Sequence, residues 1–511
     1  MILVLNLGLK SIRAIVFDEK GKKLKSASKP VHTLLRGNYV EQDPEEWWQK
    51  GIEVIQEATL ERDIRKSIDY ITVTSSSSCL VPVNSAGRSV MNSMMVSDKR
   101  AIPQAQRLRE IPAFQTLSKA NQNFVAEPSL MIPKMMWLKE HDPELFEQTK
   151  YFLSSNDFLV YRISGEMCTD VLNAEKFYYD LKTKSYPAAL LKAVDIEEAT
   201  LPPVKQIGFD VGDATAHFKS LTALPENKSI KVILSTYDAI CAFFGSGVSQ
   251  EGEGCDVSGT VSSLRVLSRN KPDMVNTSIF TQYEPTNNIY IVGGSNNLGG
   301  GLIEWTKQCF YQDEKYPYEV MEKEATESLP GARGIIFLPY LLGERAPLWN
   351  NNARGAFFGL ERFHNRKDFV RAIFESAGFS IRHLMEAIES QNIQVSGVRF
   401  SGGLSRIKFI AQLKADILGK EVHLIDEFET TSLGAFFLTG LSTGLFTSAE
   451  ETAGMVKVRE VILPDPERHK IYSQFYEMYK EMYETLKPMY EKRQALMSDA
   501  YFQKIERIEN L

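Results

Sequence analysis

Short apolar runs alternate with glycine-bearing turns from the first residues onward. "ILVL" and "AIVFD" have the length and composition of strands, and the turn inside "LNLGLKSIRA", residues 5–14, joins them as a hairpin. "YITVT" is expected to be a buried strand. "PEEWWQKGIEVIQEATL" reads as a helix, with proline at its start and apolar residues at helical spacing behind it. Further on, "KVILS", "IYIVGG", "GIIFLP" and "VSGVRFSGG" each end a β-rich run at small or turn residues, where α/β proteins place ligand loops. The mixture through both halves predicts α/β layers. Glycine and acidic residues accumulate in "GSGVSQEGEGCDVSG", residues 245–259, and a domain boundary is expected there. Near the C-terminus Tyr472, Phe475, Tyr479, Met482, Leu486 and Met489 recur every three to four residues, the pattern of an amphipathic packing helix whose last turn Pro488 leaves open. Strand, glycine turn and strand stand near the start of each half, which suggests two related domains.

Composition narrows this picture. At 511 residues the chain exceeds the ~250–300 at which one hydrophobic core stops growing, so two domains are expected, with the cleft between them as the default ligand site. Apolar and charged fractions of 43% and 24% are those of an ordinary globular protein, and a net charge of −6 argues against a nucleic-acid partner. Cys79, Cys168, Cys241, Cys255 and Cys309 are scattered, odd in number and free of C-x-x-C spacing, which points to reduced thiols rather than a disulfide frame or zinc site. The chain begins directly with a strand and has no stretch near the ~20 apolar residues of a membrane span, so a cytoplasmic protein without a membrane partner is expected. Its exposed faces leave a homodimer open.

Three segments share an apolar run followed by a glycine turn: "LVLNLGLKS", "CDVSGTVSSL" and "VRFSGGLSR". Glycine lets successive backbone N–H groups approach an anion, so such turns can cradle phosphate, although each alone is equally an ordinary α/β loop. Asp238, in "STYDAICAFFG", follows an apolar run and could accept a proton from a substrate hydroxyl; equally, it could cap the helix that follows. Asp98 and Arg100, in "VSDKRA", could hold a polar substrate or form a solvated surface pair.

The block "GIIFLPYLLGERAPLWNNNARGAFFGL", residues 334–360, resembles the FGGY family of carbohydrate kinases. "YVEQDPEEWW", "YRISGEMCTDVLNA", "YDAICAFFGSGV", "VSGTVSSL", "GGSNNLGGGLIEW", "FSGGLSRIKFIAQLKADILGKEV" and "ETTSLGAFFLTG" then fall into that family's order, so the resemblance spans nearly the whole chain. It implies an α/β protein of two actin-like ATPase (ribonuclease H-like) domains, residues 1–245 and 246–511, flanking a central cleft that takes sugar and ATP with Mg2+. It assigns Asp238 as catalytic base. Gly8, Lys10 and Ser11 would form the first phosphate turn, Gly259 and Thr260 the second, with Gly300, Gly402 and Gly403 beside the nucleotide. Ser77, Ser78, Asp98 and Arg100, with Asp238, would face the sugar, and Asn6 with Asp238 the metal.

This chain departs from the family at several of these positions. Asn6 and Leu9 stand where the family turn has aspartate and threonine, Val96 replaces a tryptophan, Ser78 a histidine, and Leu298 the asparagine frequent in gluconate kinases. Asparagine keeps a carbonyl oxygen for Mg2+ but loses the charge. Lys10 offers partial compensation, or is simply an exposed lysine. Two functions follow: an ATP-dependent kinase for an open-chain sugar or sugar acid, with Arg100 as the cation for a carboxylate, or a degenerate kinase that binds without efficient turnover. The kinase requires the domains to close on substrate, excluding water.

Overall fold

The apolar run at the N-terminus forms the strand Ile2–Leu7, every residue of it buried, and the expected hairpin partner is Ser11–Phe17. The computed structural model describes residues 1–121, 124–259, 261–273, 278–426 and 429–497. Among these, Ile2–Leu7 lies inside a six-stranded sheet with the order Asp210–Asp213, Lys231–Ile233, Tyr70–Ser75, Ile2–Leu7, Ser11–Phe17, Lys23–Pro30. Lys231–Ile233, Tyr70–Ser75 and Ile2–Leu7 run parallel, so their C-terminal ends share one edge of the sheet. The helix Pro44–Ala58 packs on this hairpin; Asp43 caps it by accepting from the Glu45 N–H, and Trp47, Ile52 and Ile55 fill the core beneath. A five-stranded sheet, in the order Leu34–Arg36, Tyr39–Gln42, Ser93–Met94, Leu80–Val83, Tyr151–Ser154, stands beside it in the same unit.

The second unit repeats the theme. The hairpin Glu253–Ser258 and Ser262–Ser268 has a parallel neighbour, Gly397–Ser401, on one side and the antiparallel strand Ile289–Ser295 on the other, within a seven-stranded sheet. The same arrangement surrounds the N-terminal hairpin.

One difference from the expected division concerns Glu429–Val456. The first unit comprises Met1–Gly247, Glu284–Asn287 and Glu429–Val456, and the second Val248–Tyr283, Asn288–Phe428 and Lys457–Leu511. The reason is packing. The helix Thr430–Ser442 lies against the helix Asp238–Gly245 at backbone distance, and a Cβ at Gly245 or Gly434 would collide with the Thr430 or Cys241 carbonyl oxygen. Phe436 of the same helix meets Phe17 of the hairpin, ring centroids 4.9 Å apart. A single cut after residue 245 misses this return.

The C-terminal helix runs Pro466–Leu496 straight through Pro488. Tyr472, Tyr476, Tyr479, Tyr483 and Tyr490 are buried, and Phe475, Met482 and Leu486 of the expected stripe are half-buried against the same core; of that stripe Met489 is exposed. Tyr476, Tyr479 and Tyr483 are accommodated inside because their hydroxyls find partners: Tyr479 with Tyr340 at 2.7 Å, Tyr476 donating to Glu386 at 2.9 Å, and Tyr483 accepting from Asn350 at 3.1 Å. Cys79, Cys168, Cys241 and Cys255 are buried free thiols and Cys309 an exposed one. No described helix is long and apolar enough to cross a membrane.

Candidate active site

Parallel strands that end on one edge deliver their loops together, and in the first unit that edge gathers most of the acceptor-side candidates. Asn6 is near the end of Ile2–Leu7, buried, and donates from Nδ2 to Ser432 Oγ at 2.9 Å, which leaves its amide oxygen Oδ1 to accept. Gly8 follows, its N–H bonded to the Ser11 carbonyl at 2.9 Å. A Cβ at Gly8 would meet only that oxygen, at 3.5 Å, so the turn itself does not require glycine. Lys10 and Leu9 are exposed at the tip. Ser11 accepts from Arg13 Nε at 3.2 Å. The turn is anchored by Gln42, whose Nε2 donates to the Leu9 carbonyl at 2.8 Å while its Oε1 accepts from Trp47 Nε1 at 2.9 Å. Gln42 lies in "YVEQDPEEWW" and had no role in the sequence reading.

The neighbouring strand Tyr70–Ser75 ends in Ser76, Ser77 and Ser78. Ser76 N–H donates to the Leu7 carbonyl at 3.2 Å, and its hydroxyl donates to Asp238 Oδ2 at 3.1 Å. Asp238 is the first residue of its helix, and the cap position is Tyr237 with no side-chain capping bond; capping does not account for Asp238. Ser77 is half-buried, and Ser78 is buried with φ 58°, a left-handed conformation that costs a non-glycine residue about 1 kcal/mol or more.

Asp98 and Arg100 are not a solvated pair. Asp98 is 1% and Arg100 6% exposed. Arg100 Nε donates to both Asp98 oxygens at 2.9 and 3.0 Å, and Nη2 reaches Asp98 Oδ2 at 2.7 Å and Glu41 Oε1 at 2.6 Å. Burial lowers the pKa of this guanidinium, but the bonds to Asp98 and Glu41 outweigh that and raise it. Its plane lies over Tyr39 at 4.0 Å and Trp137 at 4.9 Å. Asp98 in turn accepts from the Val40 N–H at 2.7 Å.

A residue the pattern hid supports both walls. Lys134, on the helix Met131–His141, is wholly buried and donates to the carbonyls of Ser78 at 2.6 Å, Met94 at 3.2 Å and Met95 at 2.9 Å. Burial raises the pKa of the neighbouring Cys79 thiol, against the charge of Lys134.

The second unit holds the other glycines. Gly259 ends the first hairpin strand's turn, Gly300 opens the helix Gly300–Phe310, and Gly402 and Gly403 follow Gly397–Ser401. These three loops meet. Gly300 N–H donates to the Gly259 carbonyl at 2.6 Å, and a Cβ there would sit at 2.6 Å from that oxygen. Gly402, at φ 89°, faces the Ser258 carbonyl, 2.5 Å from where a Cβ would stand. Gly259 and Gly403, by contrast, have nothing within 4 Å of a Cβ, so the cradle is open above them. Thr260 lies outside the described residues. Beneath, Lys414 forms a buried ion pair with Asp256 and donates to Ser258 Oγ at 2.8 Å; burial lowers the Lys414 pKa against the pull of Asp256. Glu344 Oε1 accepts from the Asn297 and Arg345 N–H groups at 2.8 Å, fixing the approach to Gly299 and Gly300, and burial raises its pKa to about 7. The signal for Glu344 was a charged pair inside the apolar block "LLGERAPLW". Leu298 is half-buried on the core of this unit.

Residues 1–245 match the FGGY family of carbohydrate kinases, N-terminal domain, and residues 257–443 match its C-terminal domain. The chain is 27% identical to the xylulose kinase of Bacillus subtilis (strain 168), covering 93% of this chain and 95% of that one. It is 26% identical to the glycerol kinase of Corynebacterium efficiens, over 92% and 96% of the two chains. The crystal structures of gluconate kinase and of ligand-bound xylulose kinase from Lactobacillus acidophilus both superpose with a TM-score of 0.88, at 24% and 25% identity. The first pair covers 96% of this chain and 99% of the gluconate kinase; the second covers 96% and 100%. The two units have the actin-like ATPase fold of those kinases. With both domains matched over most of its length, this chain belongs to the FGGY family of carbohydrate kinases, phosphotransferases that act on sugar hydroxyls.

Proposed function

We propose that the chain transfers the γ-phosphoryl group of ATP to a hydroxyl of a small, uncharged open-chain sugar of the xylulose type, with Asp238 as general base. The observation that carries this reading is the Asp238 carboxylate standing past the ends of the parallel strands, oriented by the Ser76 hydroxyl at 3.1 Å. A carboxylate held there takes the proton of an acceptor hydroxyl as that oxygen attacks phosphorus. Asp98, Arg100, Ser77 and Ser78 form the wall that orients the acceptor. Within the second unit, Gly259, Gly300, Gly402 and Gly403 are assigned to the nucleotide; within the first, Gly8, Lys10 and Ser11 are assigned to phosphate binding.

Mg2+ binds through one or two protein oxygens together with substrate phosphates, and the Asn6 amide oxygen and the Asp238 carboxylate suit that donor set. Bound with ATP, the ion neutralises phosphate charge. Asn6 contributes a dipole in place of a full negative charge, held by its bond to Ser432.

The preference for an uncharged acceptor comes from Arg100. Its guanidinium already faces two carboxylates, Asp98 and Glu41, so a sugar acid would bring a third negative charge to one cation. The names of the relatives, a xylulose kinase and a glycerol kinase, support an uncharged polyhydroxy substrate. A coupled ADP-release assay with Mg-ATP across ketopentoses, aldonates, polyols and glycerol tests the reading. Turnover is expected on a ketopentose, falling about 10²–10⁴-fold in Asp238→Asn. Equal turnover in Asp238→Asn would remove the base assignment, and sugar binding without ATP consumption would favour the non-turnover alternative.

A further inference from the structure

We propose that Lys134 is a positioning residue for the acceptor sugar, acting through the backbone that carries Ser76, Ser78 and Asp98; the role in catalysis rests on the kinase reading above. A buried ammonium costs several kcal/mol of hydration unless its donors are met, and a methionine would fill the same space without that cost. Here the three donors of the ammonium are met by three backbone carbonyls, those of Ser78, Met94 and Met95, with no carboxylate among the described residues within hydrogen-bond distance.

Each carbonyl belongs to a piece of the acceptor wall. Ser78 holds the strained left-handed turn of the loop whose Ser76 orients Asp238. Met95 accepts, besides Lys134, the N–H of Asp98 at 3.0 Å, and its own N–H bonds to the Val40 carbonyl at 3.0 Å. Met94 pairs with Leu80, the second residue after Ser78. The ammonium therefore joins the Ser76–Ser78 loop to the Asp98 loop at one point. One helical turn on, Trp137 supports the Arg100 guanidinium, so a single helix sets both features. Burial lowers the Lys134 pKa to about 8, which leaves the ammonium charged at neutral pH.

The test compares the full-length wild type with Lys134→Met, which keeps the stem and removes the ammonium, and with Lys134→Arg. Hydrogen exchange is followed in segments 76–79 and 93–98, with 253–268 as the internal reference, and steady-state kinetics use D-xylulose and Mg-ATP. In Lys134→Met, exchange in 76–79 and 93–98 is expected to accelerate about tenfold or more while 253–268 is unchanged. The KM for xylulose should rise about tenfold or more, with the KM for Mg-ATP within about twofold of wild type. Lys134→Arg should not restore the wild-type values, because a planar fork does not fit three converging carbonyls. Should Lys134→Met fail to fold, Lys134→Gln, which removes the charge and one donor but keeps a polar amide, carries the same comparisons. Unchanged exchange in both segments, or acceleration everywhere with both KM values unchanged, overturns the proposal. A wild type that phosphorylates no acceptor would refute the kinase reading, and the exchange arm would still decide the positioning role.

Discussion

Glu344 shows how much a single buried carboxylate can tune this protein. In the folded chain its pKa stands at about 7, raised by burial, against 4.5 for the free side chain. Folding therefore favours the protonated form, so its contribution is fully present below about pH 4.5 and is lost as pH rises through about 7. Urea denaturation of wild type and Glu344→Gln at several pH values should show the wild type losing ground to the variant across that window, by at most about 3 kcal/mol. A pH-independent difference would place the carboxyl in a solvated setting. At this scale legibility was uneven. Asp238 stood out as a candidate because it follows an apolar run, but its local sequence fitted a helix cap equally, and the resemblance alone assigned it as base. Lys134 did not stand out: in "IPKMMWLKE" it reads as one polar position on a helix, and its burial depends on carbonyls 39 to 56 residues away in sequence. Asp98 and Arg100 were visible as candidates, but adjacency in sequence does not reveal Glu41, the second carboxylate that fixes the charge of the wall.

Among elements, the contact between Asp238–Gly245 and Thr430–Ser442 is the least forgiving. The two helices approach until each glycine faces the other's carbonyl oxygen, a spacing that no residue with a Cβ permits. Gly434→Ala should force them apart and destabilise the first unit by about 3 kcal/mol, seen as a lowered thermal midpoint. Gly454→Ala, where a Cβ meets nothing within 4 Å, should stay within about 0.5 kcal/mol of wild type. Equal effects of the two would mean that the helices tolerate separation. Because Asp238 opens one of these helices and Ser432, the partner of Asn6, sits on the other, the same substitution should also reduce turnover. The hairpin and strand periods were readable because apolar alternation reports burial directly. The packing face of the C-terminal helix was readable in part: Tyr472 and Tyr479 stood in the expected stripe, whereas Tyr476 and Tyr483 did not, because hydropathy ranks tyrosine below methionine and phenylalanine and takes no account of a hydroxyl with an internal partner.

For the molecule as a whole, the order of the units along the chain differs from a simple division in two. A composition shift near residue 250 is a local signal and marks where the chain leaves the first unit, at Gly247. The return at Glu429 leaves no such mark, because a helix rich in apolar residues looks the same whichever core it joins. An isolated 1–247 fragment should consequently lack a cooperative melting transition, and joining Glu429–Val456 to it through a glycine linker should restore one. A cooperative transition in the shorter fragment would show that the returning helix is dispensable.

That return also sets a clock on synthesis. A ribosome completes Gly247 long before it reaches Val456, and at roughly 5–20 residues per second the interval is on the order of 10–40 s. Throughout it, the face of the nascent N-terminal unit that will receive Phe436 and Gly434 has no occupant from its own chain. The protein thus emerges with a timed vulnerability to aggregation, one that holdase chaperones would relieve and that a shorter wait, obtained by circular permutation, would remove.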